Sequence, residues 1–155
     1  MTQPSPDALE EVAGDVLVLF HFQDTPVPRG ALGRVDWILS GAVSRLAVDG
    51  KFSGGVGSAV LFPPAGKFRV ERILVLGLGP HGEVDVSTLQ AAGRHLTQLL
   101  DNLRARDIRI VLPEAPHLSP HEVTEIFAAA LRHPESQADT SPTITFLSPR
   151  RAHLP

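Results

Sequence analysis

Short apolar runs alternate with amphipathic stretches along most of this chain, and the two periods mark different elements. Asp15 to Phe22 (DVLVLFHF) follows Gly14 and predicts a first strand. The segment Asp24 to Gly30 holds two prolines, which remove backbone donors and restrict the residues before them, so it predicts a loop. Val35, Ile38 or Leu39, Ala42 and Leu46 then recur at helical spacing, and Asp49-Gly50 supplies a stop, predicting one continuous helix. Ser58 to Phe62, ended by Pro63-Pro64, and Arg72 to Leu76 predict the second and third strands. The run Ile73 to Leu76 has no polar alternation, the pattern of a strand covered by helices on both faces.

The second half repeats the alternation with clearer boundaries. Ser87-Thr-Leu-Gln90 has the form of a capping box, so a helix is expected after Ser87, with Leu89, Ala92, Leu96, Leu99, Leu100 and Leu103 as its apolar stripe. Ile108 to Leu112 predicts a strand. Ser119-Pro-His-Glu122 is a second capping box with proline at the first helical position, opening a helix through Leu131 that Pro134 closes. Thr143 to Leu147 predicts a last strand. Strands and helices that alternate in this way predict an α/β fold: a three-layer α/β/α sandwich on a mixed or mostly parallel sheet of about five to six strands. A flexible segment over residues 1–10, one domain over 11–148 and a flexible tail over 149–155 complete the expected organisation.

Composition narrows the function classes. The chain has 155 residues, one domain's worth, and a domain of that size buries roughly 70% of the surface its unfolded chain exposes. A net charge of −3 offers no general attraction to nucleic acid or anionic lipid. Cysteine is absent, which removes disulfides and thiolate metal sites and makes a reducing cytoplasm the simplest compartment. No apolar run approaches the ~20 residues that span a bilayer, and Met1 to Asp7 lacks signal-peptide character.

Candidate chemistry concentrates in two glycine-rich segments. Gly77-Leu-Gly-Pro-His-Gly82 follows a strand and matches G-x-G-x-x-G, a pattern that seats a dinucleotide pyrophosphate on a helix N-terminus. Here the expected helix starts several residues later, Pro80 lacks an amide, and the acidic residue some 20 positions on, Asp101, falls within a helix. An ordinary strand-to-helix turn is the better reading. Gly54-Gly-Val-Gly-Ser-Ala59 has successive unhindered amides of the kind that form an anion nest. Gly54, Gly55, Gly57, Gly77 and Gly79 are therefore the candidate ligand-binding residues.

Other constellations are weaker. His117 and His121 are four apart but straddle the expected helix start, so they need not share a face, and no metal site is assigned. His81, His95 and His133 fall at expected loop, solvated-face and helix-end positions. Arg94, Arg104, Arg106 and Arg109, with Arg150-Arg151, are interleaved with Asp101 and Asp107, and aromatic residues are few, so a solvated face is favoured over a nucleic-acid platform. No G-x-S-x-G elbow is present, and no catalytic residue is assigned. Trp37 on the first helix is expected in the core.

In this order, Asp36-Trp37, Gly50-Lys-Phe-Ser-Gly54, Gly57, Arg72-Ile-Leu-Val-Leu-Gly-Leu-Gly79 and Ala92-Gly93 resemble the N-terminal domain of the leucyl aminopeptidase (cytosol aminopeptidase) family over roughly residues 12–135. The resemblance implies a macro-domain-like sandwich without chemistry of its own. In that family a larger second domain carries the two metal ions and their lysine, aspartate and glutamate ligands, and this sequence has no "NTDAEGR"-like motif. The resemblance further implies a role in assembly, since the family's N-terminal domain contributes to hexamers and in some bacterial members helps contact DNA. A free-standing, non-catalytic domain that associates with itself or a protein partner, with no cofactor and no membrane, is the favoured expectation. The glycine segment 54–59 is also similar to the loop with which macro domains hold the diphosphate of ADP-ribose, although no "NAAN"-like segment precedes it. A macro-like module for ADP-ribose or a related nucleotide stays open as the alternative.

Overall fold

The computed structural model describes residues 9–25, 28, 30–131 and 142–148. Five strands, β1 (Ala13–His21), β2 (Ala59–Phe62), β3 (Arg69–Gly77), β4 (Asp107–Val111) and β5 (Thr143–Leu147), form one sheet in the order β2-β3-β1-β4-β5. Only β2 runs antiparallel to its neighbour; β3, β1, β4 and β5 are parallel. The helices are α1 (Gly30–Ile38), α2 (Ala42–Val48), α3 (Val86–Leu103) and α4 (Pro120–Ala130).

The period of two along the strands sorts side chains between the helical layers. On β1, Val16, Val18 and Phe20 join Leu74, Leu76, Ile108 and Ile110 in a core closed by Leu89, Leu96 and Leu100 of α3 and Val123 and Phe127 of α4. Leu17 and Leu19 point the other way, with Ile73 and Val75, into a core closed by Leu32, Val35 and Val43 of the α1–α2 layer and by Phe52, Phe62 and Phe68. The central strands therefore need apolar residues on both faces, which is why they read as unbroken runs. Phe127, fully buried, has its ring 5.2 Å from that of Phe20. Helices α3 and α4 meet where Gly93 removes a side chain: a Cβ there would lie 2.5 Å from Ala130 Cβ. Leu9 is buried, and Glu10 makes a two-pronged pair with Arg34 of α1, both contacts at 3.2 Å.

Three local expectations need correction. The single first helix is two helices, broken at Ser40 and Gly41, both in the left-handed region. Asp36 holds the break: its carboxylate accepts from the amides of Val43 (2.8 Å) and Ser44 (3.0 Å) and from the Ser44 hydroxyl, capping α2 from within α1. Trp37 is not in the core but 81% exposed, because it lies two residues, about 200° of helical rotation, from the inward-facing Val35. Helix α3 begins two residues earlier than the Ser87 capping box suggests. Its N-cap is Asp85, whose carboxylate accepts from the Thr88 amide at 2.9 Å, and a charged acceptor at a helix N-terminus outcompetes a serine hydroxyl. The second capping box, at Ser119 and Glu122 with Pro120 following the cap, is formed as expected. Residues 1–8, His133, Pro134, the loop 135–141 and the tail 149–155 with Arg150-Arg151 lie outside the described residues.

Candidate functional site

The five candidate glycines are brought together from two segments. Gly77 donates to Ser58 O and Gly79 to Gly54 O, each at 2.9 Å, while Leu78 donates to His21 O at 3.0 Å. Gly79 O in turn accepts from Gln23 N. A Cβ on Gly77 would overlap Gly55 O, Ser58 Oγ and Gly54 C, so bare backbone is what lets the two segments touch. Gly54 and Gly79 have φ of +80° and +78°, conformations in which a side chain is strained. The amides of Gly77 through Gly79 are thus engaged by carbonyls. Gly57 sits at the open edge of the same structure, where an added Cβ would meet nothing within 4 Å, and Val56 is exposed beside it.

The ordering extends past the G-x-G-x-x-G segment. Pro80 leads into a short 3-10 turn, His81–Glu83, and α3 starts only at Val86, so the helix that follows does not begin at the glycine turn. His81 N donates to the Asp24 carboxylate at 3.0 Å, fastening the turn to the loop after β1.

A cavity of about 450 Å³ opens next to this junction, between the C-terminal ends of the adjacent parallel strands β1 and β4. After β1 the chain leaves towards α1 on one face; after β4 it leaves towards α4 on the other. This divergence of connections is the place where open α/β sheets bind ligands. Leu19, Phe20, Leu32, Val111 and Leu112 give the cavity an apolar lining, and His21, Asp24, Thr25, His81 and Glu114 supply its polar groups. None of the five candidate glycines lines it.

His21 is the unusual member. It is 3% exposed, its ring packs 5.6 Å from that of Phe52, and burial holds its pKa below the ordinary value against the opposing pull of the Asp36 carboxylate. Its imidazole is therefore neutral near pH 7. The signal that would have found it was in the sequence: His21 is the only histidine inside an apolar strand run, an ionisable group in a span meant to be buried on both faces. Asp24 and Glu114 carried no such signal, since only the sheet order brings their loops together.

The remaining candidates are dispersed. His117 lies in the turn before α4, and His121 pairs with Glu125 at 3.0 Å on an exposed face. Among the described residues no group of three or more histidines and acids is arranged to hold a metal ion. Arg109 pairs with Asp107 at 3.2 Å, Arg72 donates to Leu103 O, and Arg104 ends α3 in a left-handed conformation. Among the described residues no helix is long and apolar enough to cross a membrane.

Residues 17–140 match the family model described as the cytosol aminopeptidase family, N-terminal domain. The chain belongs to this family. A probable cytosol aminopeptidase of Geobacter sp. (strain M21) is 34% identical over 109 residues, covering 70% of this chain and 22% of that protein. One from Cyanothece sp. (strain PCC 7425 / ATCC 29141) is 27% identical over 101 residues, covering 65% of this chain and 20% of that protein. The chain thus spans about a fifth of the length of these curated relatives, and the part it matches is the family's N-terminal, not its catalytic, domain. Solved structures agree on the fold. A tomato leucine aminopeptidase mutant superposes with a TM-score of 0.65 at 17% identity, over 96% of this chain and 33% of that one. The macrodomain of Mycobacterium tuberculosis DarG gives 0.69 at 11% identity, over 95% and 97%. A Trypanosoma brucei macrodomain in complex with ADP-ribose gives 0.67 at 17% identity, over 87% and 58%. The cytosol aminopeptidase N-terminal domain seen here is accordingly a macro-domain-like α/β/α sandwich, as its sequence led us to expect.

Proposed function

We propose that this domain is a non-catalytic assembly or regulatory unit that works by docking on another protein. The observation that carries the reading is Trp37, 81% exposed on the α1–α2 layer, where Val48 is 84% exposed as well. Tryptophan offers a large, nearly rigid contact area and is enriched among residues that dominate binding energy. The partner surface we assign is the remainder of a cytosol aminopeptidase chain, because the match covers only 20% of such a relative and the rest of that protein lies beyond it. The compartment that fits is the cytoplasm, supported by the absence of cysteine and by the relatives' name.

Trp37 is the sole tryptophan, so its emission reports directly on this surface. Mixing the 155-residue chain with a family aminopeptidase lacking its own N-terminal domain should shift the emission to shorter wavelength and raise the scattering mass. Trp37→Ser should abolish the mass increase without unfolding the domain. No shift and no mass change, with that partner or with the chain itself at rising concentration, would overturn the reading. Peptidase turnover by the purified chain would do the same.

A second reading, a macro-like module for ADP-ribose or a related nucleotide, is favoured by the convergence of Gly54, Gly55, Gly57, Gly77 and Gly79 on one turn. Calorimetry with ADP-ribose and NAD tests it. Saturable heat that disappears in Gly57→Val would support this reading, and heat no greater than dilution would remove it.

A further inference from the structure

We propose that the cavity between the ends of β1 and β4 is a binding site for a small organic cation, an amine carried on an apolar body. Charge is the first reason. Asp24 and Glu114 stand exposed at the cavity, and among its described lining residues there is no lysine or arginine. An anion of the diphosphate type would meet two carboxylates there and find the amides of Gly77, Leu78 and Gly79 already donating to carbonyls. A cation meets complementary charge. Shape is the second reason: about 450 Å³ lined by Leu19, Leu32 and Leu112 among others suits an apolar body of small-molecule size.

His21 supplies an independent observation. Neither of its ring nitrogens has a hydrogen-bond partner among the described residues, although the side chain is 3% exposed. Among the described residues no fully buried side-chain nitrogen or oxygen lacks a partner, so the His21 nitrogens retain some access to solvent, and His21 is itself a lining residue of the cavity. A ligand that bonds to such a nitrogen takes the place of water there. Burial keeps this imidazole neutral, so one nitrogen presents a lone pair to an ammonium or amide N–H. Carboxylates at the mouth and a neutral acceptor within suit a protonated amine with a second N–H group.

Phenethylamine and leucinamide are the probes, with 3-phenylpropionate as the matched anion and ADP-ribose as the phosphate-bearing control, titrated calorimetrically into the 155-residue chain. The expected result is saturable binding of at least one amine and none of the anion. Glu114→Gln, an exposed change, should weaken the amine about tenfold while leaving the melting temperature unaltered. In the wild-type protein the same amine should move the nitrogen resonances of the His21 ring, a readout that needs no variant at the buried position. The proposal is overturned if neither amine binds up to roughly 10 mM, a ceiling that corresponds to under 3 kcal/mol. It is equally overturned if 3-phenylpropionate or ADP-ribose binds as well or better, or if Glu114→Gln and the His21 resonances are both indifferent to the amine.

Discussion

Replacing Gly77 by alanine adds one methyl group at the tightest backbone contact around the glycine turn. The new Cβ would overlap Gly55 O, Gly54 C and Ser58 Oγ, of which the first two are backbone and have little freedom to yield. Relief requires the segment 54–58 to move off β3, and two hydrogen bonds hold it there: Gly77 N to Ser58 O and Gly79 N to Gly54 O, both 2.9 Å. Each is worth about 1 kcal/mol net, and the overpacking itself adds about 1–3 kcal/mol, so the expected loss is about 3–5 kcal/mol. Against a typical stability of about 5–15 kcal/mol that is a large fraction. At about 2–4 °C per kcal/mol for a chain of this size, the melting temperature should fall by about 6–20 °C. Urea unfolding followed by far-UV circular dichroism measures it, with the midpoint lowered and the slope unchanged because the strain is in the native state. Gly57→Ala is the control. Its site is open but has a φ of +89°, so only the backbone cost of about 1–2 kcal/mol should appear. If Gly77→Ala costs no more than Gly57→Ala, the close approach of the two glycine segments is not what the motif is for.

Further predictions concern capping and charge. Asp85→Ala should lower the melting temperature and Ser87→Ala should leave it nearly unchanged, since Asp85 caps α3; the reverse order would restore the serine box. Asp36→Ala removes the acceptor for two amides at the α1–α2 break, one of them buried, and should cost about 1–3 kcal/mol in chemical denaturation. Folding lowers the pKa of His21 below its ordinary 6.5, so its contribution to stability is present above that pH. As pH falls through 6.5 towards the folded value, the unfolded chain gains a proton the native one resists, and stability declines. Melting temperatures at about pH 7.5, 6.5 and 5.5 should show this decline, and His21→Phe should flatten it. The Asp15 carboxylate, held below its ordinary 3.8 by the amides of Arg106 and Asp107, titrates in a lower and separate window.

What can be read from the sequence follows from how far a residue's environment extends. Runs such as Ile73 to Leu76 and Val16 to Phe20 are apolar because both faces are covered, so strand positions and the α/β class are written locally; strand β5, Thr143–Leu147, falls where its residues predict. The Ser119 box is equally local, two residues of one helical turn bonding to each other. At α3 the Ser87 box placed the start two residues late, because the Asp85 carboxylate caps the helix instead. The break between α1 and α2 depends on Asp36 reaching seven residues ahead to Val43, a contact no period reports.

The residues of Gly54 to Ala59 and Gly77 to Gly82 announce by themselves that backbone must come close to something. That they come close to each other was decided by the antiparallel pairing of β2 with β3. The cavity is more distant still from the sequence: His21, Asp24 and Glu114 share it because β4 lies beside β1, which only the sheet order fixes. Periodicity records which face of an element is buried, a nearest-neighbour property. Which elements become neighbours is settled by packing the whole chain at once, and the charge and shape of the site are consequences of that packing.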